Sequence, residues 1–262
     1  MQTVRTPAVA GLFYPADTVE LHAQVRQFLN QIEPPAGLPP KAIIAPHAGY
    51  IYSGPIAASA YARLKAVRDT ITRVVLLGPS HRVGFRGIAV SGMAAFDTPL
   101  GRIPVDQEAV ELAQHLPGVG FLEQAHAQEH SLEVHLPFLQ EVLRDFKLVP
   151  LVVGDARPAE VGAVLEALWG GPETLIVVSS DLSHYHDYQT ARRLDSETSR
   201  AIETLQFEEI GYEQACGRNP VNGLLWVAQR KGLHVETIDL RNSGDTAGPR
   251  DQVVGYGAYV FH

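Results

Sequence analysis

The chain has 262 residues, 45% of them hydrophobic, with one cysteine and a net charge of -8 at pH 7. A chain of this length and apolar content can bury a large core, and α/β folds of this size commonly form one domain, so residues 1–262 are expected to fold as a single unit. The acidic balance, without clustered Lys and Arg, excludes an electrostatic footprint for DNA or RNA, and no apolar run approaches the ~20 residues a membrane-spanning helix needs.

In chain order, a helix is predicted over 17–31, ended by the proline-rich stretch EPPAGLPPK (Glu33 to Lys41), which leads directly into a strand over 42–45. A helix over 55–65 follows, then strands over 73–77 and 88–91, helices over 106–114 and 131–145, a strand over 148–153 and a helix over 158–168. A strand over 175–179, helices over 188–205 and 221–231, and strands over 235–240 and 253–261 complete the chain. Gly101, Gly118, Gly154 and Gly232 stand where such elements should stop. Short runs of Val, Ile and Leu alternating with longer helical segments are the pattern of an α/β fold, with a mostly parallel central sheet covered by helices on both faces. Cys216 cannot close an intramolecular disulfide, and MQTVRTPAVAGLFYPAD lacks the basic stretch and apolar run of a secretory signal, so a cytoplasmic protein is expected.

The unusual residues cluster at one end of the predicted strands. KAIIA is followed at once by PHAGY, RVVLLG by PSH and TLIVVSS by DLSH, so three strands each deliver a histidine (His47, His81 and His184) just beyond their carboxyl ends. In an open α/β sheet that edge is where ligands bind, and neighbouring strands lie about 4.8 Å apart, so the three residues can converge if their strands are neighbours. A single histidine after a strand is more often a hydrogen-bonded loop residue. Three at equivalent positions point to one shared site.

Neutral imidazole is the commonest metal ligand, and two histidines with one anionic ligand form an open, reactive iron or zinc site. The residues leave the third ligand open among Cys216, Asp181, Glu133, Asp187 and Asp245. Cys216 and Gly217 are expected at the end of a short helix, before a helix opened by Pro220, where a free cysteine is usually inert core. In EHSLEVHLPFL, His130 and Glu133 are candidates to reach the pocket mouth, against the alternative of a surface cap. Tyr50 and Tyr52 are candidates to wall the pocket, His186 to orient His184, and Asp245 to ring the site from the NSGD run. His22, His115, His126, His234 and His262 are expected in ordinary solvent contact, and the sequence suggests no role for Arg5.

Seven ordered blocks between residues 5 and 261 carry a resemblance: RTPAVAGLFYPAD, APHAGYIYSGPIAA, LLGPSHRVGF, EHSLEVHLPFL, VVSSDLSHYHDY, QACGRNPVNGLL and NSGDTAGPRDQVVGYGAYVF. Together they resemble the Memo family, also called AmmeMemoRadiSam system protein B. That family is similar in fold to the class III extradiol ring-cleaving dioxygenases, which hold iron(II) at the carboxyl edge of a comparable sheet. The resemblance implies that His47, His81 and Cys216 surround a transition metal, iron(II) foremost and copper or zinc as alternatives. It also implies that His184 is an acid/base histidine with Asp181 beside it. A non-haem iron-dependent, dioxygenase-like oxidoreductase acting on an unknown small molecule is the expected function. The alternative is a metal-binding or peptide-binding scaffold without turnover, since eukaryotic Memo proteins are regarded as signalling scaffolds. Zinc hydrolysis is a third reading, against which no HExxH-type glutamate is present. The family name further implies association with an AMMECR-like protein and a radical SAM enzyme.

Overall fold

The computed structural model describes residues 4–33 and 37–262, so positions 34–36 of the proline-rich stretch lie outside the described residues. In chain order the elements are β1 (Val4–Arg5), α1 (Thr18–Asn30), β2 (Ala42–Ala45), α2 (Tyr50–Tyr61), β3 (Arg73–Pro79), β4 (Ile88–Val90), β5 (Ala95–Thr98), β6 (Gly101–Pro104), α3 (Gln107–Gln114) and β7 (Val119–Phe121). They continue with α4 (Glu123–Ala127), α5 (His130–Glu133), α6 (Leu136–Val142), β8 (Lys147–Val153), α7 (Pro158–Ala167), β9 (Thr174–Ser179), β10 (His184–His186), α8 (Tyr188–Glu203), α9 (Arg218–Lys231), β11 (Val235–Asn242) and β12 (Val253–Phe261).

The main sheet runs β10-β12-β2-β9-β3-β8-β4-β7, with β11 added beside β12. Its centre, β2, β9, β3 and β8, is parallel as expected. The margins differ, because β12 joins β2 and β4 joins β8 antiparallel, giving a mixed sheet. Every residue of β2 and β9, and all of β3 after Arg73, is buried, as strands covered on both faces must be. Helices α7 and α9 pack together with α9 over β3 and β9, while α1, α2 and α6 group with α2 over β2 and β12. One contiguous core draws side chains from Val9 to Phe261.

Three expected helices change shape for local reasons. The helix predicted at 55–65 begins earlier, at Tyr50, with Pro55 inside it rather than at its start. Its first turn is completed from outside, since Tyr50 N donates to Phe13 O at 2.8 Å. The helix predicted at 131–145 divides into α5 and α6, where Pro137 in the first turn of α6 opens a new helix. No short helix ends at Cys216: the residue lies in a turn, Gly217 caps α9, and α9 starts at Arg218 with Pro220 already in its first turn. The sequence also hid a three-stranded sheet, β1-β5-β6, whose strands are only two to four residues long.

Candidate metal centre

Register decides where the three histidines go. Ala45 pairs with Ser179 and Leu77 with Val178, so β2, β9 and β3 end side by side in that order. His47 and His81 sit two residues beyond β2 and β3, Asp181 two beyond β9, and His184 opens β10. The rings of His47 and His81 lie 5.0 Å apart between centroids, and that of His130 stands 4.5 Å from His81 and 5.4 Å from His47. Cys216 enters from the turn before α9, with Sγ 3.3 Å from His47 Nε2. One ligand atom from each of His47, His81 and Cys216 lies within 4.8 Å of the other two. Two glycines make the approach possible. A Cβ on Gly78 would sit 2.6 Å from Ser131 Oγ, and one on Gly217 would sit 2.4 Å from Ser179 O.

Hydrogen bonds set the chemistry of these donors. Ser179 Oγ donates to Ser131 O at 2.6 Å, which uses its only proton, so the 2.6 Å contact with His47 Nδ1 makes that nitrogen the donor. His47 Nε2 therefore keeps a lone pair toward Cys216. His81 Nδ1 lies 2.8 Å from Glu129 Oε1, and its Nε2 has no hydrogen-bond partner among the described residues. Burial holds His47 well below the ordinary imidazole range and His130 at about 4, and His184 is lowered for the same reason. Such imidazoles are neutral at pH 7, as ligands must be. Burial also raises the Asp181 carboxyl to about 7, although the backbone N–H groups of His47 and Ala48 oppose it. Burial and the neighbouring Asp181 push the Cys216 thiol up to about 12.

These residues line a cavity of about 580 Å³, within the usual range for small-molecule sites. Of the sequence candidates, His47, His81, His130, His184, Asp181, Cys216 and Tyr52 line it. Tyr50, Glu133, His186 and Asp245 do not. Tyr50 is buried with its hydroxyl donating to Val134 O, and Asp245 accepts from Asn242 N and Tyr188 Oη. His186 pairs with Val253 in the sheet, and Asp187 caps α8. Glu133, fully buried, accepts from Arg5, from the backbone of Ala8 and Val9 and from Tyr14, so it anchors the amino-terminal segment rather than facing the pocket mouth. That segment delivers Phe13 to the cavity wall, where its ring meets His130 at 4.7 Å.

Sequence reasoning missed Phe13, Glu129, Ser179, Tyr185 and Tyr256. Tyr185 stands at the rim, 70% exposed, with φ 60° in the left-handed region that non-glycine residues rarely adopt. The VVSSD run marked the neighbourhood of Ser179, but nothing in a single sequence pairs Glu129 with His81. His126, expected in solvent, is buried, with Nε2 3.0 Å from Ala89 O, and burial lowers it to about 4.

Fold and site define an α/β protein with a histidine- and cysteine-lined pocket at the carboxyl edge of its parallel strands. Residues 5–260 match the family model described as Memo-like protein. The chain belongs to that family. It is 39% identical to a MEMO1 family protein of Aquifex aeolicus over 98% of this chain and 99% of that one, and 37% identical to one of Thermotoga maritima over 96% and 97%. A MEMO1 family protein of Sulfolobus acidocaldarius is 34% identical over 97% of each. The crystal structure of an uncharacterised Escherichia coli K12 protein shares the fold at a TM-score of 0.53 and 15% identity, covering 84% of this chain and 98% of that chain.

Proposed function

We propose that this chain is a metal-binding protein whose His47, His81 and Cys216 hold one transition metal ion, iron(II) foremost, with copper or zinc as alternatives. The carrying observation is the convergence of three ligand atoms within 4.8 Å of one another, from residues far apart in the chain. The donor set fits: two neutral imidazoles and one sulfur suit a soft or borderline divalent ion. Three protein ligands at a cavity leave room for a bound small molecule.

An iron(II) ion there would supply the redox and oxygen-binding chemistry of a non-haem, dioxygenase-like oxidoreductase. This chain's own residues do the rest. His184, which lines the same cavity, is positioned to move a proton to or from a bound molecule. Asp181, buried beside His47 and raised to about 7, can hold or release a proton near neutrality. Phe13, Tyr52, Tyr185 and Tyr256 wall the cavity and restrict water.

A specific observation favours a second reading, a metal-binding or peptide-binding scaffold without turnover. Leu12 (81% exposed) and Ile51 (58%) are sequence neighbours of the lining residues Phe13 and Tyr52, and the lining residue Tyr185 is itself exposed. Grouped apolar residues around a pocket are characteristic of binding surfaces. On either reading residues 1–262 act as one domain in the cytoplasm, and the family association with an AMMECR-like protein and a radical SAM enzyme supplies the first partners to test. Among the described residues no helix is long and apolar enough to cross a membrane.

The test is anaerobic purification, elemental analysis and titration with iron(II), copper(I) and zinc(II), comparing the wild type with His47→Ala, His81→Ala and Cys216→Ser. Near-stoichiometric binding of one metal, lost in each variant, is expected. Binding no stronger than that of the variants would refute the proposal. Turnover with iron(II) and oxygen separates the enzyme from the scaffold.

A further inference from the structure

We infer that Glu129 is the positioning residue for His81, its buried carboxylate selecting the ring tautomer that presents Nε2 to a cation, and that Arg5 holds Glu129 in place for this task. The inference deepens the metal-site reading and rests on it.

Glu129 is 1% exposed, and its carboxylate meets two backbone N–H groups and two imidazoles, with His130 Nδ1 3.5 Å from Oε1. Oε2 accepts from His81 N at 2.6 Å, while Oε1 accepts from Ser131 N at 2.9 Å and lies 2.8 Å from His81 Nδ1. Both carboxylate oxygens already accept a backbone N–H, so the group faces the His81 ring as an acceptor, which gives Nδ1 the hydrogen and leaves Nε2 the lone pair. His81 is an exposed residue on the loop after β3, where a free ring would sample other rotamers. Glu129 grips it at both the backbone and the ring. His47 is held differently, by the neutral hydroxyl of Ser179. The ionic partner makes His81 the more strongly polarised ligand of the two.

Glu129 in turn is fixed from the far end of the chain. The Arg5 guanidinium donates to His126 O at 2.8 Å, to Glu129 O at 2.7 Å and to Glu133 Oε2 at 2.7 Å, clamping the turn between α4 and α5. Arg5 is 5% exposed and none of these three acceptors lies near it in sequence. The route Arg5, Glu129, His81 thus makes the amino-terminal segment a structural part of the site.

The first measurement is the histidine tautomer of the wild-type protein without metal, read from long-range 1H–15N NMR correlations. His81 is expected as the Nδ1–H form, and a dominant Nε2–H form overturns the inference whatever any variant does. The second is Glu129→Gln, whose amide can accept from His81 N or from its ring, but not from both without a donor–donor clash. The ring should shift toward Nε2–H, with a loss of about 10–100-fold in zinc(II) affinity, as for other outer partners of metal-binding histidines. Circular dichroism confirms that the variant folds. Unchanged zinc(II) affinity in a folded variant overturns the inference. A wild type with the Nδ1–H tautomer that binds no zinc(II) supports the tautomer assignment and sinks the metal-site reading, so the two failures are distinct.

Discussion

A buried thiol whose proton is retained up to about pH 12 can ligate a soft cation only by giving that proton up. Metal binding at Cys216 is therefore expected to release one proton between pH 6 and 8, so that affinity rises about tenfold per pH unit. Cys216→Ser should remove that unit of slope as well as weakening binding. Isothermal titration in two buffers of different ionisation enthalpy counts the proton, and equal slopes in wild type and variant would remove Cys216 from the ligand set. At this scale the sequence was legible wherever a residue follows a strand: His47, His81, Asp181 and His184 could be placed because a parallel strand fixes where its next residues emerge. Glu129 and Ser179 were not legible, because each acts by touching a ring supplied by a distant segment.

Among the elements, the amino-terminal segment has the largest consequence for its size. It forms only the short strand β1, yet Glu133 receives four hydrogen bonds from it, through Arg5, Ala8, Val9 and Tyr14. Removing one partner of a buried ion pair strands a charge, so Arg5→Met should destabilise the fold by about 3–5 kcal/mol. Arg193→Met, which breaks an exposed pair with Glu197 on α8, should cost less than about 0.5 kcal/mol. Urea unfolding of both variants checks the contrast, and comparable losses would show that the amino-terminal clamp is not an energetic anchor. The helices altered from expectation have a related cause. Periodicity in 131–145 reads as one helix, but Pro137 in the first turn of α6 has no N–H to continue the ladder, and the helix divides there. The early start of α2 depends on Phe13 O, which no local signal reveals.

Across the whole molecule, several titratable groups are buried in forms that water would not choose. Burial lowers His126 to about 4 and His135 to about 3, so as pH falls below about 6.5 the unfolded chain takes up protons that the native protein refuses. Each of these histidines costs stability as acid is added, by up to about 1.4 kcal/mol per pH unit down to its native pKa. Asp195, raised by burial to about 6, works the other way: its contribution is present at low pH and is lost as pH rises from about 4 to 6. The lowered histidines outnumber the raised aspartates, so the native protein loses stability as pH falls below about 6, and the difference between proteins isolates one histidine's share. His135→Gln should flatten the wild-type dependence between pH 4 and 6 by about one proton, measured by denaturant unfolding at several pH values. Parallel curves would mean that His135 is protonated in the native state.

The sequence by itself determined the α/β class, the positions of the central strands, the family and the edge at which His47, His81 and His184 would emerge. Those features follow from local rules, since burial on both faces demands unbroken apolar runs and a parallel strand exposes its carboxyl end in one direction. Only the tertiary structure decided that β2, β9 and β3 are neighbours, that the sheet's margins turn antiparallel, and that Cys216 reaches His47 from a turn rather than a helix. Only it brought Arg5, Glu129 and His81 into one chain of contacts. Strand order and buried polar contacts depend on pairings between distant segments, and the free energy that selects them is gained only when the whole core closes.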